Sequence, residues 1–126
     1  MIKGAEMIVG TLKNTYAFSI LPEQSVDDYK NEIELFLKNA PKGSILIADL
    51  FGGTTSNVAA ALSKRYDVLA VSGLDMAMLI AADELREEYE GNELIDKILK
   101  KSIDNCKDLN KMLNEMLKNK KGMGKL

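Results

Sequence analysis

The 126-residue sequence contains no histidine, only one cysteine and no long run of apolar residues. It therefore lacks the side chain most often used for proton or phosphoryl transfer near neutral pH. A single cysteine excludes an internal disulfide and a metal site built from several cysteines. No apolar run approaches the roughly 20 residues that cross a bilayer, and Met1–Gly4 does not begin a signal peptide. We therefore expect a cytoplasmic protein with no segment inserted in the membrane.

Length and charge predict a small globular protein. With 126 residues and 46% hydrophobic content the chain can bury a core, so we expect residues 1–126 to form a single domain. The 17 Lys and Arg residues nearly balance the 19 Asp and Glu residues, and a net charge of -2 does not attract nucleic acid or an anionic membrane. We expect no nucleic-acid partner, no metal and no cofactor.

Apolar periodicity predicts alternating helices and strands over the first two thirds of the chain. Ala5–Val9 is typical of a helix end that stops at Gly10, Tyr16–Leu21 is rich in β-forming residues, and Ser25 is a helix cap. The later predicted elements are a strand at Ile45–Asp49, a helix from about Thr55 to Lys64, a strand at Val68–Ser72 and a helix from about Met76. This order predicts an α/β fold, with a mostly parallel sheet of three strands sandwiched by helices.

The last third is predicted to form one long amphipathic helix. Its apolar residues keep helical spacing, and they are Leu94, Ile95, Ile98, Leu99, Ile103, Cys106, Leu109, Leu113, Met116 and Leu117. On this pattern Cys106 is a buried structural thiol. The opposite face mixes lysines with acidic residues, which favours a solvent-exposed surface over a docking surface. Lys118–Leu126 is expected to be a frayed tail.

The most informative segment is the loop after the Ile45–Asp49 strand. Asp49 is expected at the carboxyl end of a strand buried on both faces, where open α/β sheets place their ligand sites. Gly52, Gly53, Thr54 and Thr55 follow, and their backbone N–H groups can bind a phosphoryl oxygen at the positive end of the next helix. This loop is therefore our candidate site.

Structural roles compete with this interpretation. Thr54 or Ser56 can cap the helix while the glycines only form the turn, and Asp49 can form an Asx-turn. No lysine follows the glycine pair as in a Walker motif, and the spacing is not that of GxGxxG. A nucleotide site is therefore weakly supported.

Three motifs occur in order along the chain: AEMIVG at positions 5–10, ADLFGGTTSN at 48–57 and SGLDMAML at 72–79. Together they resemble the IIA domain of the mannose-family bacterial sugar phosphotransferase system. The resemblance implies a cytoplasmic carrier that takes a phosphoryl group from the phosphocarrier HPr and passes it to a IIB partner during sugar uptake. It also implies that Asp49 orients a phosphoacceptor histidine, and that the turn of Gly52, Gly53 and Thr54 meets the phosphoryl oxygens.

The sequence departs from the family pattern at the phosphoacceptor. In the family, that histidine follows a first strand that precedes the helix ending like AEMIVG, whereas this sequence begins after that point. We therefore expect both the strand and the histidine to be absent from the chain as given, and the sheet to be destabilised or rearranged. Smaller departures are Thr55-Ser56 for a common Pro-Phe, Asp75 for a common Asn and Ala77 for a common Pro.

Three functions stay open on this sequence. The first, which we favour, is a phosphotransfer component whose active form includes upstream residues. The second is a catalytically inactive relative with a regulatory or dimerising role. The third is a small-anion or nucleotide-binding domain that uses the glycine loop. Apolar residues on several predicted faces, together with the resemblance, also predict a homodimer.

Overall fold

A computed structural model describes residues 1–124, with residues 121–124 described by their backbone alone. Within this range the chain forms six helices and two strands. In chain order these are α1 (Ile2–Val9), α2 (Val26–Leu37), β1 (Ile45–Ala48), α3 (Thr54–Tyr66), β2 (Leu69–Ser72), α4 (Met76–Leu85), α5 (Gly91–Asp104) and α6 (Leu109–Gly124). The predicted α/β class is confirmed.

The two strands pair in parallel, and helices cover both faces of the sheet. Ile45 of β1 lies beside Leu69 of β2, and Ala48 lies beside Ser72. Leu46 packs against the core of α2 and α3, whereas Ile45 and Ile47 pack against the core of α4 and α5. The clusters beside the sheet are Tyr29, Ile33, Leu37, Val58 and Leu62 on one face, and Val71, Met78, Ala82, Leu94 and Ile98 on the other. This alternation is the geometry of a strand between two helical layers. The expected burial on both faces is only partly realised, since Ala48 is buried whereas Ile45, Leu46 and Ile47 are half-buried. A third cluster of Ala5, Leu12 and Leu79 packs α1 against α4.

The start and stop signals in the sequence are confirmed at two helices. Gly10 ends α1 with a φ of 86°, and its N–H donates to the Glu6 carbonyl at 2.9 Å. Ser25 caps α2, since its hydroxyl accepts the Asp28 N–H at 3.0 Å. The Gly10 N–H and the Ser25 hydroxyl both bond to backbone a few residues away, so the sequence alone predicts these helix ends well.

The predicted strand at Tyr16–Leu21 is wrong, and the described sheet has two strands where three were expected. The segment packs through its rings, since Tyr16 and Phe18 lie with their ring centroids 4.4 and 5.5 Å from that of Phe36. Its backbone pairs with neither strand of the described sheet. A β-forming composition becomes a strand only where a partner offers a hydrogen-bonding ladder, and here aromatic packing is what holds the segment.

The predicted single C-terminal helix is divided into α5 and α6. The chain leaves α5 after Asp104 and starts again at Leu109, because the Asp108 carboxylate accepts the Lys111 N–H at 3.0 Å and caps a new helix. The apolar residues on the two sides of this break have different environments. Leu94 and Ile98 are buried in the sheet-facing core, whereas Leu109 is 75% exposed.

Two further expectations about this region are corrected. Cys106 is exposed and not buried, because it lies in the break between the helices, with its Sγ 3.7 Å from the Ser102 carbonyl oxygen. The expected frayed tail at Lys118–Leu126 is helical up to Gly124. The rest of that prediction, at residues 125–126, lies outside the described residues.

Candidate functional site

The carboxyl ends of β1 and β2 bring two loops side by side. The carbonyl oxygen of Ala48, the last residue of β1, accepts the N–H groups of Gly73 and Leu74 at 2.9 and 3.0 Å. Gly73 has a φ of 101°, a conformation that residues with a Cβ rarely adopt. The loop that begins at Asp49 is thereby held next to the loop that leads into α4.

Asp49 emerges at this edge of the sheet, as the sequence predicts. Its Oδ1 accepts the hydroxyl of Thr55 at 3.2 Å, and its side chain is exposed. In the described part of the chain Oδ2 has no hydrogen-bond partner, so this oxygen can accept an N–H from another group. The contact with Thr55 replaces the Asx-turn that the sequence left open.

The glycine turn delivers an uncapped helix end. Gly52 has a φ of 85°, and its N–H donates to the Ser56 hydroxyl at 3.4 Å. Gly53 occupies the capping position of α3, and it has no side chain to accept the first N–H groups of the helix. Thr54 is exposed and is the first helical residue, and no side chain caps α3. The prediction that Thr54 or Ser56 caps this helix is therefore wrong. The positive end of α3 thus offers its N–H groups to an anion, with a hydroxyl beside them.

The neighbouring helix end at this edge is closed. Asp75 precedes α4, and its Oδ1 accepts the Met78 N–H at 2.7 Å. Its second oxygen accepts the Ser102 hydroxyl of α5 at 3.5 Å. A carboxylate of the chain itself therefore occupies the position that an external anion would need at α4. Of these two helix N-termini, that of α4 is capped by Asp75, whereas that of α3 begins after Gly53 and has no side-chain cap.

The pKa of Tyr29 of α2 responds to its burial and to the charge of Asp49, a relation that the sequence analysis missed. The tyrosine is buried in the core against α3, and its hydroxyl donates to the Phe18 carbonyl at 3.5 Å. Burial raises the pKa of Tyr29, and the negative charges of Asp49 and Glu32 raise it further. No local motif signals this long-range pair. Thr55, by contrast, belongs to the hydroxyl cluster that the sequence shows directly.

The described residues offer no alternative site of two common kinds. Among residues 1–124, no group of three His, Cys, Asp or Glu side chains is placed to hold a metal ion. In the same range no helix is both long and apolar enough to cross a bilayer.

Comparison with known proteins identifies the family. A family model described as the PTS system fructose IIA component matches residues 1–99, which include both strands and both loops of the candidate site. The chain belongs to this family. The resemblance to phosphotransferase IIA domains is thus confirmed, and the chain is a IIA-type component of a sugar phosphotransferase system.

Solved structures agree with the family assignment. The phosphotransferase system component EIIA from Streptococcus agalactiae is 26% identical, with a TM-score of 0.80 and 86% of each chain covered. The PTS IIA protein associated with the fucose utilization operon of Streptococcus pneumoniae is 20% identical. That match has a TM-score of 0.67 over 88% of this chain and 84% of the other, and it shows the fold alone. No curated protein matches the sequence.

Proposed function

We propose that this chain carries a phosphoryl group from an HPr-like phosphocarrier to a IIB component, as a mannose-type IIA domain that works in the cytoplasm as a homodimer. In this proposal residues 1–126 act as one unit. The supporting observation is the pairing of Asp49 with the uncapped end of α3 at one edge of the sheet. A carboxylate and an anion-binding turn are the two groups that orient a phosphorylated imidazole.

Each residue has a separate task in this reaction. Asp49 Oδ2 accepts the N–H of a histidine ring, which fixes the tautomer and leaves the other ring nitrogen free to attack phosphorus. Gly52, Gly53 and Thr54 donate backbone N–H groups and a hydroxyl to the phosphoryl oxygens. The new nitrogen–phosphorus bond forms as the bond between phosphorus and the donor breaks. In the transfer to IIB the phosphorylated histidine is the donor, and its nitrogen–phosphorus bond breaks as phosphorus bonds to the acceptor on IIB.

The histidine of this proposal comes from outside the 126 residues, since they contain none. The genomic sequence directly upstream, read in the same frame, is the first observation to make. A strand followed by a histidine supports the proposal, and a nearby stop codon opposes it.

The test is phosphorylation by phosphoenolpyruvate, enzyme I and HPr. We expect acid-labile label on a chain extended by its native upstream residues, and none on the 126 residues alone. In the extended chain Asp49→Asn should lower the labelling rate by about 100-fold, because the ring loses its orienting carboxylate. Asp96→Asn, which changes an exposed acid on α5, is the matched control and should label normally.

Two other outcomes assign other functions. An extended chain that takes no label and lowers label transfer between HPr and IIB is a regulatory relative. A chain whose melting temperature rises in millimolar phosphate or nucleotide, again without taking label, is an anion-binding domain. An unchanged melting temperature removes the anion-binding alternative.

A further inference from the structure

α6 has no partner in the described chain. None of its residues lies close to another helix or strand. A helix of 16 residues is marginal in water without tertiary packing. One face nevertheless carries an apolar stripe, and its members with their exposed fractions are Leu109 75%, Met112 43%, Leu113 53%, Met116 64% and Leu117 50%. The spacing of i, i+3, i+4, i+7 and i+8 places all five on one side of the helix.

The charge of this C-terminal segment opposes that of the rest of the chain. Residues 107–126 contain six basic and two acidic side chains, a net charge of +4. Residues 1–106 contain 11 basic and 17 acidic side chains, a net charge of -6. Lys120 extends the apolar stripe, since it lies three residues after Leu117 and four after Met116. The exposed face of α6 is therefore apolar with a positive end.

A groove ahead of α2 has the complementary character. The acidic groove is lined by Leu21, Pro22, Glu23, Gln24 and Asp28, and its volume is about 580 Å³. Leu21 is 61% exposed and supplies apolar surface, while Glu23 and Asp28 supply negative charge with no basic residue in the lining. Its shape is fixed by Gln24, which accepts the Leu21 N–H and donates its own N–H to the Leu21 carbonyl.

We propose that α6 docks its apolar stripe into the acidic groove of a second copy of this chain, whose own α6 fills the groove of the first. Each copy holds one basic apolar helix and one acidic apolar groove, so the exchange closes in a two-fold dimer. Opposite net charges bring the two surfaces together. α6 lies beyond the residues that match the family model, and the docking does not depend on phosphotransfer.

The first test removes the apolar stripe in the full chain. Sedimentation equilibrium should show a dimer whose dissociation constant rises at least 100-fold in Leu113→Gln/Met116→Gln, because two apolar side chains of each copy, four in the dimer, lose their burial. Met7→Gln, at an 89% exposed methionine of α1, is the control and should dimerise like the parent. High salt should weaken the parent dimer. A parent chain that is monomeric at all concentrations, or a stripe variant that dimerises normally, overturns the proposal.

The second test reverses the charges of helix and groove separately. Lys111→Glu/Lys118→Glu/Lys120→Glu gives an acidic helix, because it changes the net charge of residues 107–126 from +4 to -2. Glu23→Lys/Asp28→Lys gives a basic groove. Neither variant should form a dimer alone, because each places like charges together, whereas an equimolar mixture should form a heterodimer. Pairing of α6 with α6 predicts instead that the basic-groove variant dimerises normally, and that result refutes the groove as the receiving surface.

Two controls complete the charge test. A single cooperative melt of each variant shows that it folds. If the double groove variant does not fold, Glu23→Lys alone replaces it, and a smaller loss of dimer is then expected. Binding of the parent to vesicles of anionic lipid, with no dimer in solution, also overturns the proposal.

Discussion

Asp75 is the residue whose removal should best separate capping from packing at the carboxyl edge of the sheet. In Asp75→Ala, the Met78 N–H loses an acceptor at 2.7 Å, and the first turn of α4 loses a negative charge. An N-cap contributes about 1 kcal/mol, and a charge at the positive helix end about 0.3–1 kcal/mol. The Ser102 contact, at 3.5 Å, is too long to add much. We expect a loss of about 1.3–2 kcal/mol in the free energy of unfolding.

The assay for Asp75→Ala is urea denaturation followed by circular dichroism, with slopes compared at equal protein concentration. A loss of this size lowers the melting temperature of a domain near this length by about 6–8 °C. Asp75→Asn is the matched control, since Asn caps as well as Asp, and it should lose only the charge contribution of about 0.3–1 kcal/mol. Ser102→Ala should have almost no effect. If Asp75→Asn is as unstable as Asp75→Ala, capping is not what the residue does.

Three further predictions concern the core and the candidate site. Leu62→Ala, at a fully buried residue of α3, should cost about 2–5 kcal/mol in urea denaturation, while Leu35→Ala, 67% exposed on α2, should cost less than about 1 kcal/mol. Because the pKa of Tyr29 is raised in the folded protein, the contribution that the neutral hydroxyl makes to stability is fully present below pH 10 and is lost as pH rises through the folded pKa. Tyr29→Phe should keep its stability above pH 10, measured as the urea midpoint. If the midpoints of the variant and the parent fall equally at alkaline pH, the pKa argument is wrong. Gly52→Ala, at a φ of 85°, should cost about 1–2 kcal/mol in thermal melts, and Gly52→Asn should cost less.

Local signals account for most of the correct predictions. Ser25 and Gly10 act on backbone within four residues of themselves, so their effect is visible in the sequence. The placement of Asp49 followed from an apolar run that ends in a carboxylate and a glycine turn. The prediction of Asp49, Gly52, Gly53 and Thr54 as one loop rested on their closeness in sequence. Their roles in phosphotransfer stay predictions.

The errors concern features that depend on distant or competing partners. Tyr16–Leu21 has the composition of a strand, but strand formation is decided by a neighbour, and the sequence does not show which neighbour it has. Helical spacing continues from α5 into α6 across the break, so periodicity alone could not detect it. The signal was Asp108, an N-cap residue that also fits the polar face of a continuous helix. Cys106 was misplaced for the same reason.

The opposite charges of the two parts of the chain give each molecule a large permanent electric dipole. The isoelectric point of about 5.2 describes only the sum of these charges, and it predicts that a cation exchanger will not retain the protein at neutral pH. The cation exchanger should nevertheless retain a molecule whose α6 is uncovered, because the lysines of α6 bind the column while the acidic part of the chain faces the solvent. Retention on such a column would therefore report how much of the basic helix is uncovered, which the net charge cannot do.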